Sequence, residues 1–261
     1  MTRLEKCVCI ESMYTEIPFI KRFEAAKKDG FNFVEFWGWT DKNLADVKKA
    51  ASDAGITING FDGHSGYSMI DPNHKKPYID FLKKSIDTAM LLNAPSVTIL
   101  SNALNQGAVV NQYAELSDTV KKCSMFAALE ECARIAEESA ITVNLEALNT
   151  ITDHIGYYLV NVRDAAEMTR LIGSPKLKIL YDVYHMQLNQ GNLCGNISAC
   201  VDQIGHIHAA DVPGRHEPGT GEINYHRVFE HLETCGYSGR IGFELFPKTS
   251  TEAAVKAIMS Y

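Results

Sequence analysis

The sequence predicts an α/β protein built as a single (β/α)8 barrel over residues 1–261. Short apolar runs and amphipathic segments alternate eight times, which makes the strands parallel because each helical crossover returns the chain in the same direction. Eight such units in 261 residues match the count and size of a closed barrel. A third observation is negative. The first strand runs into ESMYTEIP, without the glycine-rich phosphate turn of an open doubly wound sheet, and the GxG of residues 219–221 lacks a third glycine.

The apolar run 7–10 is the first strand, ending at Glu11, and the amphipathic stretch 17–29 is its helix, stopped by Gly30. Residues 33–37 form the second strand, and Asp41 is placed to cap a helix reaching Ala54 before Gly55. The third strand is 56–61, followed by a polar loop over 62–71 and a helix over 75–92. Strand 96–100 and a long connection lead to a helix over 117–139. The fifth strand is 141–148; a helix over 161–172 is closed by Gly173 and Pro175, and 177–183 is the sixth strand. After the segment 192–203 comes the seventh strand, 204–210; a helix over 225–234 stops at Gly236, 240–246 is the eighth strand, and 250–259 the last helix. Nothing along the chain marks a second domain.

Composition narrows the partners. A net charge of −7 without clustered Lys or Arg is unsuited to nucleic acid or to an anionic membrane. The N-terminal residues lack the apolar core of a signal peptide and no run is long enough to span a bilayer, so a cytoplasmic protein is expected. Seven cysteines, without CxxC spacing, read as reduced thiols.

In such a barrel the reactive groups stand where the strands end. The fifth strand brings Glu146 out of an apolar run, the sixth Asp182 and then His185, the seventh His208 and the eighth Glu244. Carboxylates converging there would repel one another and resist ionisation unless something positive sits among them. A divalent cation resolves this, and three carboxylates with one imidazole suit Mn²⁺ or Mg²⁺, with Co²⁺ or Zn²⁺ also compatible. His206 shares a strand face with His208 and reads as a structural or supporting histidine. His64 falls at the same mouth without an identifiable partner, and Glu11, Trp37 and Trp39 read as rim or packing residues. The turn after the seventh strand carries Asp211, Arg215, His216, Glu217 and Glu222 among glycines and prolines.

At NLEALN (144–149), YDVYHMQ (181–187), IGHIHAADVPGRHEPGTGEINY (204–225) and GFEL (242–245) the chain resembles the hydroxypyruvate isomerase family of the xylose isomerase-like TIM-barrel superfamily. The resemblance implies conversion of hydroxypyruvate to tartronate semialdehyde. By likeness to ketose 3-epimerases of the same superfamily it implies one cation on Glu146, Asp182, His208 and Glu244, with both glutamates exchanging the substrate proton. His185 and Arg215 would then contact substrate oxygens. Some hydroxypyruvate isomerases carry Gln where His208 stands, and the epimerases carry Glu where this chain has Thr152, so a ketose 3-epimerase is the alternative. The superfamily's apurinic endonucleases fit less well, since Gly214 replaces an expected Asp and no His ends the fourth strand.

The residues support the same chemistry. A cation on adjacent carbonyl and hydroxyl oxygens acidifies the carbon between them, and a carboxylate can move that proton through a cis-enediolate. Arg215 offers a planar fork for a substrate carboxylate, the alternative being a surface ion pair with Glu217 or Glu222. A metal-dependent lyase or dehydratase, or a non-catalytic sugar-acid binding protein, would use the same residues differently. Every one of these readings takes a small hydroxy-keto acid or ketose.

Overall fold

The computed structural model describes residues 2–64 and 66–261. Its strands are β1 (Lys6–Cys9), β2 (Phe33–Phe36), β3 (Thr57–Asp62), β4 (Ser96–Leu100), β5 (Leu104–Asn105), β6 (Ala108–Val109), β7 (Thr142–Glu146), β8 (Leu177–Asp182), β9 (Ile204–His208) and β10 (Ile241–Phe243). All but β5 and β6 are parallel and close a barrel in the order β1-β10-β9-β8-β7-β4-β3-β2, with β1 paired to both β10 and β2. This is the (β/α)8 barrel that the alternation predicts. No described helix is long and apolar enough to cross a membrane.

The helices are α1 (Phe19–Lys28), α2 (Leu44–Ala54), α3 (Lys75–Leu92), α4 (Asp118–Glu137), α5 (Val162–Ile172), α6 (Val183–Asn189), α7 (Leu193–Cys200), α8 (Tyr225–Thr234) and α9 (Thr251–Met259). Several details differ from the sequence reading: the seventh and eighth strands stop at His208 and Phe243, and the segment 192–203 holds α7. Asn43, not Asp41, caps α2, its side chain accepting from the amide of Ala45, because the chain enters the helix two residues later than the polar run suggests. The long connection after β4 contains the antiparallel hairpin β5-β6, whose two-residue strands are too short to show a period. The sixth strand ends at Asp182, and α6 begins at once, since the carboxylate of Asp182 caps the amides of Tyr184 and His185.

Strand alternation divides the barrel into two environments. In β7, Val143 and Leu145 are fully buried among the apolar side chains, while Asn144 and Glu146 line cavities inside the barrel. In β9, Ile207 joins the apolar cluster, while His206 and His208 line the inner cavity. The inner face is therefore polar where most barrels pack branched apolar side chains.

Buried Tyr157 ties two strand ends together. Its hydroxyl accepts from the amide of Ser101 at 2.8 Å and donates to the carbonyl of Glu146 at 3.0 Å. Tyr157→Phe strands both groups, and should lower stability by about 1–3 kcal/mol in denaturant unfolding. A change within a few tenths of a kcal/mol would mean that water replaces the hydroxyl.

Candidate metal centre and active site

Strand geometry brings four side chains to one mouth. Glu146, Asp182 and His208 end β7, β8 and β9, and Glu244 follows β10 by one residue. One ligand atom from each lies within 4.8 Å of the others, and all four residues are buried. Asp182 turns one oxygen back to cap α6 and leaves the other, Oδ2, 4.0 Å from His208 Nδ1. That same Nδ1 is 3.1 Å from Glu244 Oε2 and 3.9 Å from Glu146 Oε1.

The charges of this cluster are set by burial and by the neighbours. Burial pushes the Glu146 carboxyl well above the ordinary carboxylate range; His208 opposes this, while Asp182, Glu244 and Asp62 add to it. Burial also raises Asp182, against Arg215 and His208. Burial works against Glu244 as well, but the charges of Arg215 and the nearby His208 ring and a hydrogen bond from Trp37 hold it well below that range. The chemistry of the donor set fits a divalent cation: three carboxylates and an imidazole converge, and Glu146 Oε1 and His208 Nδ1 are buried without hydrogen-bond partners. Glu146, Asp182, His208 and Glu244 could hold it.

Arg215 is not on the surface. Its Nη2 donates to Glu244 Oε2 at 2.6 Å and lies 3.8 Å from Asp182 Oδ2, with the guanidinium over the ring of Tyr184. Glu217 instead accepts from the amide of Lys248, and Glu222 from Gln187, which removes the surface-pair alternative. Buried Asp211 shapes the loop that carries Arg215, accepting from the amides of Val212, Gly219, Gly221 and Ile223. His185 is fully buried, lines the cavity, and its Nε2 has no hydrogen-bond partner. Burial and the nearby Arg215 keep its pKa well below the usual imidazole range, so the ring is neutral.

Three contributors were not assigned these positions from sequence. Glu35 on β2 accepts from His206 Nε2 at 2.9 Å and lies 3.2 Å from His208 Nε2. Trp37, read as a rim or packing residue, donates from its indole nitrogen to Glu244 Oε1 at 2.6 Å. Asp62, at the end of β3, lines the same cavity, and burial with the charge of Glu244 raises its pKa to about 8. Its position at a strand end is a signal that the reading of strand ends could have used. Of the residues left open, His64 lines the cavity, with burial lowering its pKa to about 4, whereas Glu11 pairs with Lys42 and Trp39 bonds to Ser85.

The cavity measures about 850 Å³, and Arg215 is its single Lys or Arg among the described lining residues. Five carboxylates, Glu35, Asp62, Glu146, Asp153 and Glu244, share the lining. A nucleic-acid phosphate chain would meet more negative than positive charge there.

A sequence model of the xylose isomerase-like TIM barrel matches residues 23–261. The chain belongs to that family. Hydroxypyruvate isomerase of Escherichia coli is 30% identical over 260 residues, covering 97% of both chains. A 2-oxo-tetronate isomerase of Cupriavidus necator is 29% identical, covering 97% of this chain and 96% of its own. With curated relatives of this kind, the protein is an isomerase. A Brucella melitensis structure described as a family 2 AP endonuclease superposes with a TM-score of 0.90 over 99% of both chains, and at 24% identity it shows the shared fold.

Asp62 supplies a pH test. An acid whose folded pKa lies above its unfolded value keeps a proton that the unfolded chain releases, so stability falls as pH rises through that interval. Asp62→Asn should therefore flatten the stability loss of chelator-treated protein between about pH 5 and about pH 8 in urea titrations. Parallel slopes for variant and wild type would place this carboxyl in water.

Proposed function

We propose that the protein is a divalent-metal-dependent sugar-acid isomerase, with conversion of hydroxypyruvate to tartronate semialdehyde as its reaction. The observation that carries this reading is the convergence of Glu146, Asp182, His208 and Glu244 beside a neutral histidine and a single guanidinium. The relatives named hydroxypyruvate isomerase and 2-oxo-tetronate isomerase support the substrate class. The free cysteines fit a reducing cytoplasm.

Glu146, Asp182, His208 and Glu244 would hold Mn²⁺ or Mg²⁺. When bound, such a cation draws electron density from a carbonyl oxygen and the neighbouring hydroxyl oxygen, which acidifies the carbon between them. The chain's own groups do the rest. One of Glu146 and Glu244 removes a proton from the hydroxymethyl carbon of hydroxypyruvate, giving a cis-enediolate, and a glutamate returns a proton to the adjacent carbon. His185 stabilises the developing oxygen charge from its Nε2–H. Arg215, swinging from Glu244, binds the substrate carboxylate through its planar fork. The atoms balance without any outside oxidant, because one carbon is oxidised as its neighbour is reduced and the hydroxyl proton passes from the hydroxymethyl oxygen to the former carbonyl oxygen.

The size of the cavity favours a second reading. About 850 Å³ is far more than a three-carbon acid fills, and the β3-β4 side offers Asp62, His64 and Thr98 to hydroxyl groups. A ketose 3-epimerase would use the same cation site, with the two glutamates on opposite faces of a secondary carbon.

Proton NMR in D₂O, with the Mn²⁺-treated and chelator-treated protein, separates these readings when hydroxypyruvate is run beside tagatose, fructose and ribulose. Tartronate semialdehyde from hydroxypyruvate alone, lost with EDTA, is expected; epimers of a ketose with hydroxypyruvate inert would transfer the site to the second reading. Glu146→Gln and Glu244→Gln should each cut turnover by about 10²-fold or more while circular dichroism stays unchanged. Wild-type rates in either would sink the mechanism.

Arg215→Ala should lower kcat/KM for the acid substrate by roughly 10- to 100-fold, the equivalent of losing a charge-assisted hydrogen bond, and for a neutral ketose by less. Equal losses on both would leave Arg215 as a partner of Glu244 alone.

A further inference from the structure

His185 and His208 stand in one site with opposite hydrogen-bond polarity, and each is set by a group behind it. At His185, Nδ1 receives the side-chain amide of Asn149 at 2.7 Å and the backbone N–H of Asn149 at 3.3 Å. The backbone donor cannot be turned round. The side-chain amide is equally fixed, because Asn149 Oδ1 accepts from the amides of Ile151, Thr152 and Asp153, which leaves its NH₂ for the ring. A neutral imidazole that accepts at Nδ1 carries its proton at Nε2, which on this cavity-lining ring makes no hydrogen bond and lies 3.5 Å from Asp182 Oδ2.

His208 is arranged the other way. Its Nε2 lies 3.2 Å from Glu35 Oε1, while Glu35 Oε2 takes the Nε2 of His206 at 2.9 Å. Glu35 is 5% exposed, and an ionised carboxylate only accepts, so the Nε2 that each ring turns toward it carries the proton: His206 in a hydrogen bond, His208 in a 3.2 Å approach outside hydrogen-bond geometry. Nδ1 of His208 faces Glu244, Glu146 and Asp182, and with a cation among them it would present its lone pair; without one, and against burial, Glu35 and Glu244 hold the ring well above the usual imidazole range. Gly242 of β10 makes this meeting of strands possible. A Cβ there would run into Glu35 Oε1, His206 Nε2 and His208 Cδ2.

We infer that Glu35 and Asn149 are positioning residues that assign opposite tautomers to the two histidines: Glu35 turns the Nδ1 lone pair of His208 toward the cation, and Asn149 turns the Nε2–H of His185 toward substrate oxygen. The inference rests on the metal-site reading above. Exchanged tautomers would point an N–H at the cation and a lone pair at the substrate's developing negative charge. The same residue type thus serves two roles because the groups behind it differ.

The test uses the full-length protein labelled with ¹⁵N-histidine, long-range ¹H–¹⁵N spectra with Mg²⁺, and Mn²⁺ titrations followed by EPR. Wild type should show protons on Nε2 of both rings. Glu35→Gln, which can accept from only one of its two histidines, should weaken Mn²⁺ binding by about 10- to 100-fold, with turnover recovering at high Mn²⁺. The pair Asn149→Asp with Asp153→Asn reverses the polarity toward His185 while keeping charge and the 149–153 hydrogen bond, 2.6 Å in wild type. Compared with Asp153→Asn alone, it should move the His185 proton to Nδ1 and lower kcat, leaving Mn²⁺ affinity unchanged.

A wild-type spectrum with Nδ1–H on His208 or a bare Nε2 on His185 overturns the proposal without any variant, so a failure of Glu35→Gln to fold does not protect it. Wild-type Mn²⁺ affinity in Glu35→Gln overturns the role of Glu35, and an unmoved His185 proton in the double variant overturns that of Asn149. The metal reading is tested apart from these: Glu146→Gln binding Mn²⁺ as tightly as wild type would remove the cation site itself, and with it the role of Glu35.

Discussion

Three carboxylates and an imidazole are buried within 4.8 Å of one another at one end of a barrel, and their charge has to be compensated. In a low-dielectric mouth such a cluster is costly unless each oxygen finds a donor or a cation. The surroundings follow from that demand. Arg215 and Trp37 reach Glu244 from separate loops, Asp182 shares its charge with the first amides of α6, and His208 points one nitrogen into the cluster. The polar inner face of β7 and β9 serves the same end, while the outward face carries the apolar packing that holds the barrel together.

Compensation also explains why the loop after β9 is so tightly built. Arg215 has a left-handed backbone, with φ of 56°, which a residue with a side chain adopts at a cost of about 1–3 kcal/mol. The surrounding bonds hold it there: Asp211 gathers four amides, the Arg215 carbonyl accepts from Phe246, and His216 bonds to the Phe246 carbonyl. A guanidinium placed this way meets Glu244 Oε2 and lies 3.8 Å from Asp182 Oδ2.

The likeness to a protein described as an AP endonuclease shows how far a shared barrel can leave chemistry open. Here the lining holds five carboxylates and one guanidinium among its described residues, and the curated relatives are isomerases of small acids. In a barrel of this kind, chemistry follows the strand ends and loops.

Much of this was legible in the chain. Alternation determined the barrel, and the rule that barrel strands deliver reactive groups at their ends singled out Glu146, Asp182, His208 and Glu244 without any contact information. Local signals were weaker where two residues competed, as Asp41 and Asn43 did for the cap of α2, or where strands were only two residues long, as in β5 and β6. Only the tertiary structure decided that Glu35 stands behind His206 and His208, that Trp37 holds Glu244, and that Arg215 turns inward. Glu35 and His206 are 171 residues apart and lie on β2 and β9, with β1 and β10 between them in the barrel wall. Periodicity tells which face of a strand a side chain leaves; which side chains meet across the closed barrel depends on the registers of all the strands together, and no local pattern encodes that.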